Sequence, residues 1–348
     1  MPTESYDYRL PPELIAHTPA EPRDAARLLV YRVATDEVVL DTFANLAKYL
    51  PEQATLVLND TAVVPARLTL YKPTGGAVKI LFLFNEWDGG DEIRGLPDRG
   101  LKPGDKLSFE SGGETVVEVL SNQAEEFVFK LRVSAQRFRE IAEEYGSTPL
   151  PPYIHAEMSE AVVRERYQTT FAAVPASVAA PTASLHFTAR VFQTLADKKI
   201  SRVPVTLHVG RGTFSPVTPE MIATGSLHAE PFSVSADSAA ALSSAKQANR
   251  PIIAAGTTAL RVLESAADKI LHGQAIQGTT KLFIKPPYHF QLTDGLITNF
   301  HLPGTSLLTL VDALLQARGA KRSWRDLYEV AIGEGFRFYS FGDAMLIL

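Results

Sequence analysis

The chain changes texture twice, and that change limits its fold more than any other feature. Between Arg67 and Val133 short β-forming runs recur: "RLTLY", "AVKILFLF", "DKLSFE", "TVVEVL" and "EFVFKLRV". Turns bearing Gly and Asp, "TGG", "DGGD", "KPGD" and "SGGE", separate them. β-branched and aromatic side chains suit a pleated surface, while Gly and Asp release the chain into tight turns. No helical stretch interrupts the series, so these strands have one another as partners. Strands at this spacing predict a small antiparallel barrel. "AQRFREIAEEYG" then reads as an amphipathic helix closed by Gly146.

On either side of that region the pattern is mixed. "LLVYR" and "VVLDTF" flank the turn "VATDE" as a hairpin, and "ATLVLND" reads as a buried strand. After "PLPPY" helical stretches ("TARVFQTLADKK", "SADSAAALSSAKQAN", "TTALRVLESAADKIL", "TSLLTLVDALLQA", "SWRDLYEVAI") alternate with strands. The strands are "VPVTLHV", "PIIAAG", "LFI", "LITNF" and the final "FRFYSFGDAMLIL". Alternation of this kind predicts a sheet covered by helices. At 348 residues the chain exceeds one ordinary core. The expected architecture is an α/β body with an inserted small antiparallel β-barrel. The body would be discontinuous, residues 1–65 and 148–348, and the barrel would occupy 66–147.

Composition excludes several chemistries. There is no cysteine, which removes disulfides, thiolate catalysis and Cys-based metal sites. The eight histidines form no H-x-x-x-H pair, so no metal is expected. The start lacks a secretory pattern, and no apolar run reaches the roughly 18 residues of a membrane helix. A soluble, cytoplasmic protein without membrane contact is expected. A net charge of −5 argues weakly against a nucleic-acid partner, but a local basic face matters more than the sum. Arg94, Arg99, Lys102 and Lys106 form one basic cluster; Arg318, Lys321, Arg322 and Arg325 form another.

The unusual polar residues gather at strand ends. "APTASLHF" (180–187) reads as a short extended segment with Thr182, Ser184 and His186 on one side; the alternative is a buried strand with a structural histidine. "TLHVGRGTF" ends a strand with His208 and enters a loop where Gly210 and Gly212 allow close backbone approach. "AAGTTALR" sets Gly256, Thr257 and Thr258 between a strand and a helix, where free N–H groups suit an anion or carboxylate. No phosphate-loop or dinucleotide fingerprint is present. "LHAEPF" offers His228 and Glu230 on one face of an extended segment. "TDGLITNFHLPGTS" offers Asp294, Thr298, Asn299 and His301, with Thr305 or Ser306 as a helix cap. A structural role is open to each. Together, four strand-end loops, three with a histidine, point to acid–base and hydrogen-bonding chemistry on an organic substrate.

At these segments the chain resembles the S-adenosylmethionine:tRNA ribosyltransferase-isomerases of queuosine biosynthesis. The resemblance runs from "LPPELIAHTPAEPRDAARLLV" through "LVLNDTAVVPARL", "LKPGD", "PLPPYI", "RYQTTFA" and "VAAPTASLHF". It continues through "VTLHVGRGTF", "HAEPF", "GTTALRVLES" and "ITNFHLPGTSLL" to "FRFYSFGDAM". It implies an α/β body with an inserted β-barrel. It also implies transfer of the ribosyl part of S-adenosylmethionine to the aminomethyl group of a 7-deazaguanine at the tRNA wobble position. Rearrangement then gives epoxyqueuosine, adenine and methionine, with no cofactor beyond the donor substrate.

The resemblance also implies roles. The sulfonium acidifies the neighbouring ribose carbon, so a positioned base is needed, and adenine departure needs a proton or donor. His186 and His208 are the candidate base and acid, with Asp294 and Glu230 holding the sulfonium or the aminomethyl group. Thr182, Thr258, Asn299 and His301 would bind ribose, adenine or the amino-acid carboxylate, joined in the substrate site by Ser184, Gly210, Thr257, Arg261 and Thr298. The anticodon loop of tRNA would be contacted by Arg67, Arg99, Lys102, Arg318, Lys321 and Arg322. A monomer or weak homo-oligomer is expected.

The chain departs from the family pattern at several positions. Ala62 stands where arginine is usual, Ser184 and Ala176 where glycine is usual, Ala259 where serine is usual and Lys79 where glutamate is usual. A side chain at 184 would fill substrate space or add a hydrogen bond. Two readings follow: an active ribosyltransferase-isomerase, or a repurposed relative that binds tRNA or an S-adenosylmethionine-like nucleotide without the full reaction.

Overall fold

The computed structural model describes residues 6–110, 112–123, 126–151, 153–154, 158–210 and 218–348. Its strands in chain order are β1 (Arg27–Arg32), β2 (Glu37–Thr42), β3 (Thr55–Asn59), β4 (Thr61–Val63), β5 (Arg67–Tyr71), β6 (Ala77–Phe82), β7 (Glu92–Pro97), β8 (Lys106–Ser108) and β9 (Thr115–Gln123). They continue with β10 (Glu126–Leu131), β11 (Val174–Ser177), β12 (Ser201–Leu207), β13 (Ser226–Val234), β14 (Ile252–Ala255), β15 (Ile276–Leu282), β16 (Gly295–Asn299) and β17 (Ala344–Ile347).

Nine of these form one sheet in the order β15-β13-β12-β3-β14-β16-β17-β1-β2. β12, β3, β14 and β16 run parallel to one another, with antiparallel β13 and β17 on either side. Every residue of β3, β14 and β16 is buried, because helices cover both faces of the sheet. That is why these strands read as unbroken apolar runs and not as alternating ones. One face carries a core that includes Leu242, Leu260, Leu263, Val311 and Leu314 from the helices. The other is closed by Phe43, Leu46, Phe187, Val191 and Leu195. The four parallel strands finish at one rim, and the loops leaving that rim build the site.

The second unit is a closed antiparallel barrel, β10-β7-β6-β5-β8-β9. Its strands alternate in burial, and Leu68, Leu70, Ile80, Phe82, Val117 and Phe129 fill the interior. Phe138, from the helix Ala135–Tyr145, plugs one end, 5.1 Å from the Phe82 ring. β7 is the strand that pattern reading passes over, because "EIRGLP" carries a glycine and a proline. The barrel wall explains the glycine: a Cβ at Gly95 would stand 2.9 Å from Ile80 Cγ2 and 3.0 Å from Phe129. Close packing excludes the side chain that would have marked the strand.

Four other local expectations are corrected. The segment 180–187 is not extended: Thr182–Ser184 form a 3₁₀ turn after Pro181, with Ser184 N–H donating to the Pro181 carbonyl at 2.8 Å. "LFI" is strand only at Leu282, where the strand Ile276–Leu282 ends. "TTALRVLESAADKIL" breaks at Ala266 into the helices Thr257–Ser265 and Ala267–Leu271. The final strand is confined to Ala344–Ile347. No helix among the described residues is long and apolar enough to cross a membrane.

Candidate active site

Asn59, the last residue of β3, organises the rim. Fully buried, it donates through Nδ2 to the Leu207 carbonyl at 3.0 Å and to Thr258 Oγ1 at 3.2 Å. Its Oδ1 accepts from the N–H groups of Thr61 and Leu207. One amide therefore ties β3, β12 and the start of the helix Thr257–Ser265. Thr61 Oγ1 in turn lies 2.8 Å from His208 Nδ1, fixing that ring just past the end of β12.

Two cavities open at this rim and share Leu307. The larger, about 450 Å³, lies over the amino ends of the helices Thr257–Ser265 and Ser306–Ala317. Thr257, Thr258, His228, Glu230 and Arg261 face it, with Leu227, Leu282, Ile284 and Leu310 as its apolar wall. Glu230 and Arg261 form a buried ion pair; Glu230 Oε1 also accepts from Gly210 N–H at 3.0 Å. Gly210 has a steric reason: a Cβ there would stand 2.8 Å from Asn85 Nδ2. Asn85 belongs to the turn Phe84–Glu86 between β6 and β7, so the barrel itself reaches the site. Both polar side-chain atoms of Asn85 are buried without a hydrogen bond among the described residues.

The second cavity, about 350 Å³, is lined by Thr182, Asn299, His301, Tyr153, Tyr339 and Ser340, among others. Tyr153 and Tyr339 make an aromatic wall, ring centroids 4.7 Å apart. Tyr339 has φ 75, a strained backbone for a tyrosine and one found mainly where geometry serves a site. Asn299 Oδ1 is buried without a partner among the described residues, an acceptor left for a ligand donor.

The histidines divide by depth. His186 is buried beneath the second cavity, lining neither, with Nε2 3.5 Å from Asn299 Nδ2. Burial is the main cause that lowers its pKa to about 4. His301, bonded through Nε2 to Thr298 Oγ1 at 2.8 Å, is lowered to about 3, again by burial. Burial also lowers His208, whose Nε2 makes no hydrogen bond among the described residues. All three imidazoles are neutral at pH 7.

A stability prediction follows from the two deepest rings. An unfolded histidine takes up its proton near 6.5, whereas His186 and His301 resist until about 4 and about 3. The unfolded chain binds more protons in that window, so stability falls as pH drops from 6.5 through those values. Each lowered unit corresponds to about 1.4 kcal/mol. The melting temperature of the His301→Gln protein is expected to fall several degrees less than wild type across that window. Equal slopes would show that His301 is not buried neutral.

The structure gathers Thr182, Glu230, Thr257, Thr258, Arg261, Asn299 and His301 around the two cavities; Gly210 joins through its bond to Glu230, and His208 lines neither but follows β12 at the same rim. Thr298 and Ser184 are buried and line neither. Ser184 Oγ turns inward to the Ala255 carbonyl at 3.4 Å. Asp294 is not brought to this rim. It precedes β16 at the opposite edge of the sheet, paired with Arg318 at 3.1 Å and accepting from Ile252 N–H. Arg322 sits at that far edge as well, paired with Asp36 beyond the end of β1, and Lys321 adjoins it. Arg67 begins β5 where the barrel meets Ser147, while Arg99 and Lys102 are exposed on the barrel. Gly212 lies outside the described residues. Thr305 does not cap its helix, because its hydroxyl donates to the Leu302 carbonyl. Asn59, Asn85, Tyr153, Tyr339 and Ser340 join the site with no local pattern to mark them; the orphaned amides are visible only in three dimensions. Among the described residues no group of three or more His, Asp or Glu side chains is placed to hold a metal.

Comparison with known proteins agrees with this architecture. Residues 3–347 match the model of a family described as queuosine biosynthesis protein. The S-adenosylmethionine:tRNA ribosyltransferase-isomerase of Carboxydothermus hydrogenoformans is 43% identical over the full length of both chains. The enzyme of that name from Thermus thermophilus is 43% identical over 99% of each. The crystal structure of S-adenosylmethionine tRNA ribosyltransferase from Thermotoga maritima covers 99% of both chains at 29% identity, with a TM-score of 0.55. With the barrel, the sheet and the rim all in place along one continuous match, the chain belongs to the queuosine biosynthesis family of ribosyltransferase-isomerases.

Proposed function

We propose that this protein moves the ribosyl group of S-adenosylmethionine onto the aminomethyl group of a 7-deazaguanine at the tRNA wobble position and rearranges it. The products are epoxyqueuosine in tRNA, adenine and methionine. The names carried by the full-length relatives support the reaction class. The observation in this chain that carries the reading is the pair of cavities that share Leu307, at the rim where His208, kept neutral by burial, follows β12. An aromatic wall and an unpaired amide acceptor suit a nucleobase with its exocyclic amine, and a neutral imidazole suits removal of the proton beside a sulfonium.

In this reading His208 is the base, and His186, behind Asn299, is a positioning residue for the base-binding amide. Asn85 and Arg67, at the barrel end next to the rim, would be the first groups to meet an incoming anticodon loop, whereas Arg99 and Lys102 lie toward the other end, beside Lys72 and Gly100. Arg318, Lys321 and Arg322 stand a strand length away, about 17 Å for five residues, and take no part. Two departures from the family pattern, Ser184 and Ala259, are fully buried and line neither cavity, which favours an active enzyme over a repurposed one.

The test is turnover with S-adenosylmethionine and tRNA carrying the 7-aminomethyl-7-deazaguanine, read by mass spectrometry. Epoxyqueuosine and adenine in equal amounts are expected. The Ser184→Gly protein is expected to stay within about threefold of wild type, a barrier change well under the 1.4 kcal/mol of a tenfold effect. Binding without product, or activity gained only in Ser184→Gly, would make the chain a repurposed relative.

A further inference from the structure

We propose that the larger cavity is an α-amino-acid site that holds the carboxylate-bearing, methionyl end of the sulfonium donor; this rests on the ribosyl-transfer reading. Two helices of 9 and 12 residues begin at its floor, and neither is capped by a side chain. Gly256 has none to offer, and the Thr305 hydroxyl is turned to Leu302. Their first-turn N–H groups and the positive ends of their dipoles favour an anion there.

The independent observation is Arg261. It lies one helical turn beyond Thr257, on the same face, and is only 5% exposed. Nη1 is held by Glu230 and Nε by the Leu282 carbonyl at 3.2 Å, which fixes the plane of the guanidinium. Nη2 is buried with no acceptor among the described residues. A buried charged donor without a partner is costly, so a ligand oxygen at that position recovers a charge-assisted hydrogen bond.

The remaining walls select the kind of anion. Glu230 brings a carboxylate, held by Arg261 and the Gly210 N–H, to the same cavity, and its charge disfavours a phosphate and favours a ligand that also carries an ammonium. Leu227, Leu282, Ile284 and Leu310 supply an apolar wall matched to an unbranched thioether chain. Leu307 separates this cavity from the aromatic-walled one, so a single ligand lying across it places an amino acid on one side and a base on the other.

The wild-type protein tests this without a folding risk. Binding of S-adenosylmethionine is compared with that of its decarboxylated analogue, which keeps the sulfonium, amine and nucleoside. The analogue is expected to bind about 10- to 100-fold more weakly, the range of a lost charge-assisted contact. Methionine is expected to compete and 3-(methylthio)propylamine not to. In Arg261→Gln the preference for the carboxylate is expected to vanish. Equal binding of the two nucleosides, no binding of either, or full discrimination in a folded Arg261→Gln protein would overturn the site. Discrimination without ribosyl transfer would leave the site standing and sink the reaction.

Discussion

Replacing His208 by alanine is expected to lower kcat by about 10²- to 10⁴-fold, the usual contribution of a positioned general base. The KM for S-adenosylmethionine should change far less, because His208 lines neither cavity. Three features make the ring suited to the task. Thr61 Oγ1 fixes Nδ1 at 2.8 Å, Nε2 makes no bond among the described residues, and burial holds the ring neutral at working pH. The sign of the pH effect follows. A lowered pKa keeps the base unprotonated to below the ordinary imidazole value, so kcat/KM falls only on the acid side of 6.5. The residual rate of His208→Ala should lose that acid limb. Near-normal turnover in the variant, or an unchanged limb, would remove His208 from the chemistry.

Glu230→Ala is expected to cost about 3–5 kcal/mol of stability, as breaking a buried ion pair from one side does. Arg261 would keep its charge in a site only 5% exposed, and Gly210 N–H would lose its acceptor. Glu230→Gln restores a neutral acceptor for that N–H and should fall between the two. The Arg137–Glu140 pair on the barrel helix is the internal control, since both side chains are about half exposed. Removing Glu140 should change stability far less, because water screens an exposed pair. The comparison is a denaturant titration of all four proteins. A Glu230→Ala midpoint no lower than that of the control would mean that water or a bound ion screens Arg261.

Much of the architecture was legible because it depends on short-range pattern. Glycine- and aspartate-bearing turns at regular spacing announced a barrel, and alternating helices and apolar runs announced a covered sheet. β7 escaped because its inward position had room only for Gly95. The 180–187 segment escaped because alternation of polar residues looks alike in a strand and in a 3₁₀ turn without its partners. Of the residues singled out at strand ends, Thr257, Glu230 and Asn299 face cavities at one rim, together with Arg261, which the family resemblance implied.

What the sequence by itself determined was therefore the parts list: two kinds of unit, no thiol chemistry, and polar residues held at the mouths of apolar strands. Tertiary structure alone decided which of them meet. Asp294 and Asn299 are five residues apart in one motif, yet a five-residue strand separates them to opposite edges of the sheet. Asn85 and Gly210 are far apart in the chain, yet they touch because the barrel packs against the rim. Neighbours along a strand are held apart by its extension, whereas packing of whole elements brings distant residues within a hydrogen bond of each other. No local pattern carries that second kind of information.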